Sequence, residues 1–579
     1  MLCHNPTTPN HTRNTSSSTM QRPAAAAAHS EPAPSTTTHP PSVLPPLEPG
    51  TAIEPPAFSR RGPWKWTDYL ACYLPSYDGP HDVGTLTLEL PLPEPYSRYE
   101  LASPMQRHDG RPILELHPTL MTIFYPVHKR PVEPFWRRVL PIGRMRGAEP
   151  RLRWITLAQI QGYLRFASIT SWKRWLAIPP LLLALGSTKL PTRGGAPICL
   201  KKDAPEDGGR RPYKLVIFSH GLTGNRTCYS QLCGRLAAQG YVVAAVEHRD
   251  GTSSHSLATA QIGGRTVGKS VGYVDMVDVS PDTRPDDYLF ARAHQLELRT
   301  IELLAAAKSL ASLSRPTPGW KALRDANLRV RGVPGWAADD GAHWSDQQWD
   351  QFASAVDWDR DVTLAGHSFG AANVITAARH PDRPKGWKRF ILYDPWVETL
   401  SHCSDKFVRS WNTPPGEGPV PKDFPCLIVN SPGFTIWKQH FKRLQELFII
   451  DRNKSNQLCL FATLGGIIHS SFSDLPVLVE WLWKVTKKLK LDSQKAIQIM
   501  TDLTIEFIEY DDAQVTAHEE VPQKEDTAGG SEGEKSRLER FLDLHKPDPN
   551  YRNHEAHHHQ DSLESIQPGK LLVHFKRFF

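Results

Sequence analysis

Val362-Thr-Leu-Ala-Gly-His-Ser-Phe-Gly-Ala-Ala-Asn-Val-Ile375 decides how this chain is read. Val362–Ala365 is a short apolar run of strand character. Gly366-His367-Ser368-Phe369-Gly370 follows at once, and small, helix-compatible residues run on to Ile375. A strand that turns tightly into a helix with serine at the apex is a nucleophile elbow: flanking glycines permit the turn, and the hydroxyl is raised into a site at the strand's carboxyl end. The expected fold class is α/β, an α/β-hydrolase with a mostly parallel central sheet flanked by helices and carrying insertions and extensions. Ser368 is its candidate nucleophile.

Upstream, Lys214-Leu-Val-Ile-Phe218 runs into Ser219-His220-Gly221-Leu222-Thr223-Gly224. Helix-like periodicity follows over Tyr229–Gln239, and Tyr241-Val-Val-Ala-Ala-Val246 reads as a second buried strand. Such a strand, loop, helix, strand unit with continuous apolar strands favours a parallel sheet covered on both faces. Arg292–Leu310 has helical spacing, while Arg389–Tyr393, Cys426–Asn430 and Leu458–Phe461 read as further strands, and Trp481–Glu509 reads largely as helix. Earlier strands are expected within Trp64–Pro91 and Leu116–Tyr125. Residues 251–285 form a polar excursion, and 315–360, rich in Gly, Asp and Trp, reads as a surface loop or partial cap.

A serine hydroxyl is a weak nucleophile at neutral pH and needs a general base, commonly a histidine oriented by a carboxylate. In this fold the order along the chain is nucleophile, acid, histidine. Asp394 follows the strand ending at Tyr393, and His469 follows the segment Leu464-Gly-Gly-Ile-Ile468 late in the chain. A helix cap or loop ion pair is the competing use of Asp394, and ordinary core packing that of His469. His367 reads as part of the elbow and His248 as part of a structural network. Backbone amides that stabilise the developing oxyanion are expected at Phe369, next to the nucleophile, and at Leu222, just after an early strand. With serine, histidine and backbone donors in place, no cofactor and no metal is called for.

The remaining composition bounds the partners. The 579 residues carry a formal net charge of only +7, with basic residues scattered, which argues against a nucleic-acid partner. The eight cysteines, Cys3, Cys72, Cys199, Cys228, Cys233, Cys403, Cys426 and Cys459, include no CxxC pair, so a zinc module has little support and reduced thiols are expected. Residues 1–60, dominated by Pro, Ser, Thr, Ala and His, read as a disordered tail. Residues 61–520 read as the catalytic domain with cap-like insertions, and 521–579 as a polar linker and C-terminal extension. No secretory signal and no transmembrane segment is read, since the apolar run Ala177–Leu185 contains Pro179 and Pro180 and is too short to span a bilayer. A cytoplasmic protein, peripheral to membranes, is expected. The first thirty residues contain arginine and no acidic residue, which leaves mitochondrial targeting open. The oligomeric state is not readable.

Residues 150–190, with Trp154, Tyr163, Phe166, Trp172 and Trp175, suit either a helical cap or a helix packed on the main body, and both readings bury the aromatic face.

Taken together, several segments resemble the platelet-activating-factor acetylhydrolase family of the lipoprotein-associated phospholipase A2 type, over about residues 65 to 480 with gaps. They are Gly79-Pro-His-Asp-Val-Gly84, Thr122-Ile-Phe-Tyr-Pro126, Phe218–Ser230, Val242–Asp250, Gly366–Gly370, Leu392-Tyr-Asp394 and His469. The resemblance implies a calcium-independent serine hydrolase that cleaves short or oxidised sn-2 acyl esters of phospholipids, with Ser368, Asp394 and His469 as triad and the Leu222 and Phe369 amides as oxyanion donors. It implies a structural loop at Glu247-His-Arg-Asp250, near the mouth of the site. An intracellular, fungal type of member is the nearer comparison. A general carboxylesterase or cutinase-like enzyme and a noncatalytic lipid-binding scaffold are the alternative readings. The Trp- and Leu-rich segment 172–185 is the expected membrane-facing edge for transient surface contact.

Overall fold

The short apolar runs become strands of one sheet because each is apolar on both of its alternating faces. The computed structural model describes residues 74–101, 103–130, 152–169, 171–186, 188–200, 211–262, 265–314, 319–326, 344–402, 425–448, 458–480, 489–520, 536–546 and 566–577. Its strands are β1 (Asp82–Leu90), β2 (Thr119–Val127), β3 (Arg193–Gly194), β4 (Tyr213–Ser219), β5 (Val242–Glu247), β6 (His255–Ile262), β7 (Arg265–Gly272), β8 (Val356–His367), β9 (Trp387–Tyr393), β10 (Cys426–Asn430), β11 (Cys459–Leu464) and β12 (Leu571–Arg577). Across the main sheet the order is β3-β1-β2-β5-β4-β8-β9-β10-β11-β12. The run from β5 to β11 is parallel. β2 lies antiparallel between β1 and β5, and β12 antiparallel on β11.

Alternation along the strands feeds two cores. Val216, Phe218, Val243, Ala245, Ala365 and Ile391 join the face covered by the helices Ser230–Ala238 and Ser493–Glu520. Leu215, Ile217, Val242, Ala244, Leu364 and Phe390 join the face covered by Tyr288–Ala311 and Phe369–Arg379. Each fully buried Val, Leu, Ile or Phe side chain among these stabilises the fold by about 1.5–3 kcal/mol relative to exposure. The fold is that of an α/β-hydrolase. Chain order reverses direction across the sheet at β4, which has β5 on one side and β8 on the other, and the crevice beyond the carboxyl ends of such strands is where open α/β sheets bind ligands.

Four segments differ from the sequence reading. The polar excursion after β5 contains the hairpin β6–β7. The described part of 315–360 is not a surface loop: it holds the helices Gly319–Ala326 and Asp346–Ser354, whose Trp320, Trp349 and Phe352 are buried with Trp344 and Trp358. Aromatic area is the reason, since Trp344 and Phe352 pack edge-on to Tyr125 of β2. The late helix Ser493–Glu520 runs further than read at its C-terminal end, while residues 481–488 of that reading lie outside the described residues. Finally, residues 571–577 of the C-terminal extension are a strand of the main sheet.

In 150–190 the helices are Leu157–Phe166 and Ser171–Leu181. Trp154 is buried, but Trp172 and Trp175 are 64% and 77% exposed, contrary to the expected burial of the aromatic face. The second helix lays Ala177, Ile178 and Leu181 on the body and so turns Trp172, Trp175 and Leu176 outward. No described helix is long and apolar enough to cross a membrane. Cys199, Cys228, Cys233, Cys426 and Cys459 are buried free thiols. The expected disordered tail over residues 1–60, the presequence and the polar linker over residues 521–534 lie outside the described residues.

Candidate active site

The elbow at the end of β8 is shaped by two glycines. A Cβ on Gly370 would lie 2.1 Å from the Ser219 carbonyl oxygen of β4, and one on Gly366 would lie 2.4 Å from the Gly370 oxygen. Only hydrogen fits at either place. The turn puts Ser368 at φ 57° and ψ −119°, a conformation that costs a non-glycine residue about 1–3 kcal/mol and persists where its surroundings over-determine it. The Ser368 amide donates to the Tyr393 oxygen at 2.9 Å, and the Ser368 oxygen accepts from the Trp396 amide at 3.1 Å.

Asp394, the residue after β9, also has positive φ (40°) and is fully buried. Its amide donates to Val429 of β10. Its carboxylate accepts from the Ser431 amide and the Ser431 hydroxyl, each at 2.5 Å, and lies 2.9 Å from His469 Nδ1. His469 Nε2 lies 3.0 Å from Ser368 Oγ. With Nδ1–H directed at the carboxylate, the Nε2 lone pair faces the serine hydroxyl. The structure thus brings the three residues into one hydrogen-bonded line.

His469 opens a short 3-10 turn, His469–Phe472, after β11. Phe434 stacks on its ring, with centroids 4.5 Å apart and planes 5° from parallel. His367 lies 4.5 Å away, tilted by 38°. Burial, reinforced by electrostatic competition with the neighbouring His469, holds the His367 pKa well below the usual histidine value. A neutral His367 accepts at Nδ1 from the Tyr229 hydroxyl (2.8 Å), which in turn accepts from the Gly221 amide (3.0 Å). This bridge fixes the loop after β4 to the elbow. The loop carries Leu222, and Phe369 is the first residue of the elbow helix; among the described residues neither amide has an intraprotein acceptor.

Glu247, His248, Arg249 and Asp250 are buried behind the site rather than at its mouth. His248 joins Ser219 Oγ (2.8 Å) to Glu302 (2.9 Å). Arg249 pairs with Glu89 at 2.7 Å. Arg299 pairs with Asp250 at 2.9 Å, donates to the His220 oxygen at 2.6 Å and lies over the Phe369 ring at 4.8 Å. The need to satisfy buried charge makes this loop a brace for the turn bearing Leu222. His367, Asp394 and His469 form a group of the kind that can hold a metal ion. Here Asp394 and His469 are engaged with each other and with serine, and His367 Nδ1 with Tyr229, so the donor atoms are directed to hydrogen bonds.

Sequence reasoning missed Ser431, Tyr229 and Phe434. Ser431 directly follows β10 at the carboxyl edge of the sheet, and that position was its one legible signal.

Comparison with known proteins adds the family. The description "Platelet-activating factor acetylhydrolase, isoform II" matches residues 151–531. A Schizosaccharomyces pombe protein named "Putative phospholipase A2" is 24% identical over 75% of this chain and 91% of its own length. The platelet-activating factor acetylhydrolases of Canis lupus familiaris and Gallus gallus are 25% and 26% identical, over 58% and 56% of this chain and 63% and 68% of theirs. A solved ferulic acid esterase from Streptomyces cinnamoneus aligns at 17% identity with a TM-score of 0.40, over 76% of this chain and 92% of that one.

Proposed function

The chain belongs to the platelet-activating factor acetylhydrolase isoform II family, and from that premise we propose that it is a calcium-independent serine esterase that removes short or oxidatively truncated sn-2 acyl groups from phospholipids. The observation that carries the reading is the line Asp394–His469–Ser368, closed at 2.9 and 3.0 Å. Ser368 Oγ attacks the ester carbonyl as His469 Nε2 takes its proton. Asp394 holds the ring in the required tautomer and stabilises the imidazolium. Negative charge on the carbonyl oxygen falls to the Leu222 and Phe369 amides, a contribution of about 2.7–4 kcal/mol for each such donor. Collapse expels the lysophospholipid alkoxide with the proton from His469. Water, deprotonated by the same ring, then releases the short fatty acid and restores Ser368.

The substrate class rests on the family and on the names of the relatives. A reversible contact with a lipid surface is supported by the exposed Phe166, Trp172, Trp175 and Leu176. Between Pro150 and Lys202 the sequence has no acidic residue; Arg165 is paired with Asp278, and Arg153, Lys173 and Arg174 leave positive charge that suits anionic headgroups. The protein works at the membrane periphery in this reading.

The test is calcium-free acetate release from an sn-2-acetyl phospholipid by wild type and S368A, with a long-chain phospholipid and a simple soluble ester alongside. Acetate release that vanishes in S368A supports the reading. Ser368-dependent cleavage of the simple ester alone makes the protein a general carboxylesterase, and binding without any turnover makes it a lipid-binding scaffold. W172S/W175S should lose binding to anionic liposomes while keeping soluble-ester turnover; unchanged binding removes the membrane contact from the reading.

A further inference from the structure

The family match ends at residue 531, yet a segment beyond it contacts the turn that leads to the candidate base and reaches the candidate acid through a chain of hydrogen bonds. β12 pairs antiparallel with β11, and the register shifts between Phe461 and Ala462: Ala462 faces Val573 and Phe461 faces Phe575. His574 is therefore the extra residue of a β-bulge, a device that re-aims a side chain. Its ring packs against Phe441 and Phe461, at 4.9 and 5.1 Å, and its Nε2 lies 2.7 Å from Thr463 Oγ1.

From there a chain of hydrogen bonds leads to the carboxylate. Thr463 Oγ1 lies 2.6 Å from Thr435 Oγ1, and Thr435 donates to the Ser431 oxygen at 3.2 Å. Ser431 gives both its amide and its hydroxyl to Asp394. The direction is fixed by counting hydrogens. A threonine hydroxyl has one proton, and that of Thr435 goes to a carbonyl oxygen, which can only accept. Thr463 must then donate to Thr435, and its oxygen accepts from His574 Nε2–H. Burial pushes the His574 pKa down to about 4, so the ring is neutral at ordinary pH and holds one proton, at Nε2.

A second contact reaches the base. The Gly465 amide donates to the Lys570 oxygen at 2.8 Å, and the Gly569 amide donates back to the Gly465 oxygen at 3.0 Å. A Cβ on Gly465 would stand 2.4 Å from the Gln567 oxygen. This turn leads directly into His469.

We infer that residues 566–577 are a positioning element of the hydrolytic site, with His574 as the anchor: through Thr463, Thr435 and Ser431 it sets the Asp394 carboxylate, and through Gly465 the turn bearing His469. The inference rests on the triad reading above. An edge strand that merely closed the sheet would affect stability; a positioning strand also governs the rate of the chemical step.

The experiment uses the full chain. Wild type, H574F and H574Q are compared for labelling of Ser368 by a fluorophosphonate, for kcat and KM on a soluble acetyl ester, and for thermal midpoint. H574F keeps the aromatic packing and removes the donor, and should slow labelling and kcat by about tenfold to a hundredfold, the scale of a misplacement of about 1 Å, with KM little changed. H574Q, whose amide can donate to Thr463, should recover most of the rate. Folded H574F with wild-type labelling and kcat overturns the inference. Should H574F not fold, T463V, of the same shape without the hydroxyl, carries the test, and a wild-type rate in folded T463V overturns it equally. Absence of labelling in wild type is a different result: it removes the esterase reading and this inference with it.

Discussion

Phe434 lies flat on His469, the two rings parallel to within 5° at 4.5 Å. The contact matters because His469 belongs to a short turn and its side chain is 42% exposed, so the hydrogen bonds to Asp394 and Ser368 fix the ring's edge while Phe434 fixes its face. Phe434 in turn packs edge-on to the buried His440 at 5.0 Å. F434L should lower kcat by about tenfold through loss of alignment, with little change in KM, and F434Y, which keeps the ring, should stay near wild type. Steady-state kinetics on a soluble ester measures both, and equal rates for all three proteins would show that the stack does not orient the base.

The elbow admits no methyl group at Gly370. The obstacle is the Ser219 carbonyl 2.1 Å from the added carbon, with the His220 carbonyl at 2.6 Å, and backbone of a central strand cannot rotate aside as a side chain can. G370A should therefore displace Ser368 from His469 and reduce fluorophosphonate labelling by at least about a hundredfold. It should also destabilise by about 1–3 kcal/mol as overpacking. Labelling kinetics together with urea unfolding separates the two effects.

Arg299 and Asp250 form a fully buried pair, so removing either alone strands the other's charge. R299M should cost about 3–5 kcal/mol of stability. In the double variant R299M/D250N the loss should be smaller than the sum of the single losses, because no lone charge remains. Because Arg299 also holds the His220 oxygen and lies over Phe369, turnover should stay low in the double variant even where stability returns. A double-mutant cycle in urea, read beside kcat, checks this.

Several histidines are buried neutral. Burial lowers His440 from 6.5 to about 4, and its Nε2–H donates to the Pro395 oxygen at 2.7 Å. Below pH 6.5 the unfolded chain takes up a proton at this residue that the folded chain refuses until about pH 4, so the folded state loses stability as pH falls through that window. Asp474 and Glu398, both raised to about 7 by burial, run the other way and lose stability as pH rises from about 4 to 7. The difference between wild type and H440Q isolates the histidine. Between pH 7 and pH 4 wild type should lose about 3 kcal/mol more than H440Q, as measured by denaturant unfolding at each pH; parallel curves would place the proton elsewhere.

Much of the sheet was readable because parallel strands covered on both faces are continuous apolar runs. β4, β5, β9 and β10 lie where their runs lie. Aromatic-rich segments were harder. Trp320 and Trp349 looked like loop residues among Gly and Asp yet are buried, whereas Trp172 and Trp175, which fitted both a buried aromatic face and a membrane-facing edge, are exposed. Composition does not say which face of a helix meets the body.

The same division runs through the site. The sequence by itself determined the elbow, since a strand, two glycines, a serine and a helix are all local requirements satisfied within Val362–Ile375, and it ordered Asp394 and His469 after them. Only the tertiary structure decided what holds those two in place. Ser431 meets Asp394 across 37 residues, and His574 meets Thr463 across 111. Such contacts leave no trace in any short window, because the partners become neighbours only when separate strands and loops converge at one edge of the folded sheet.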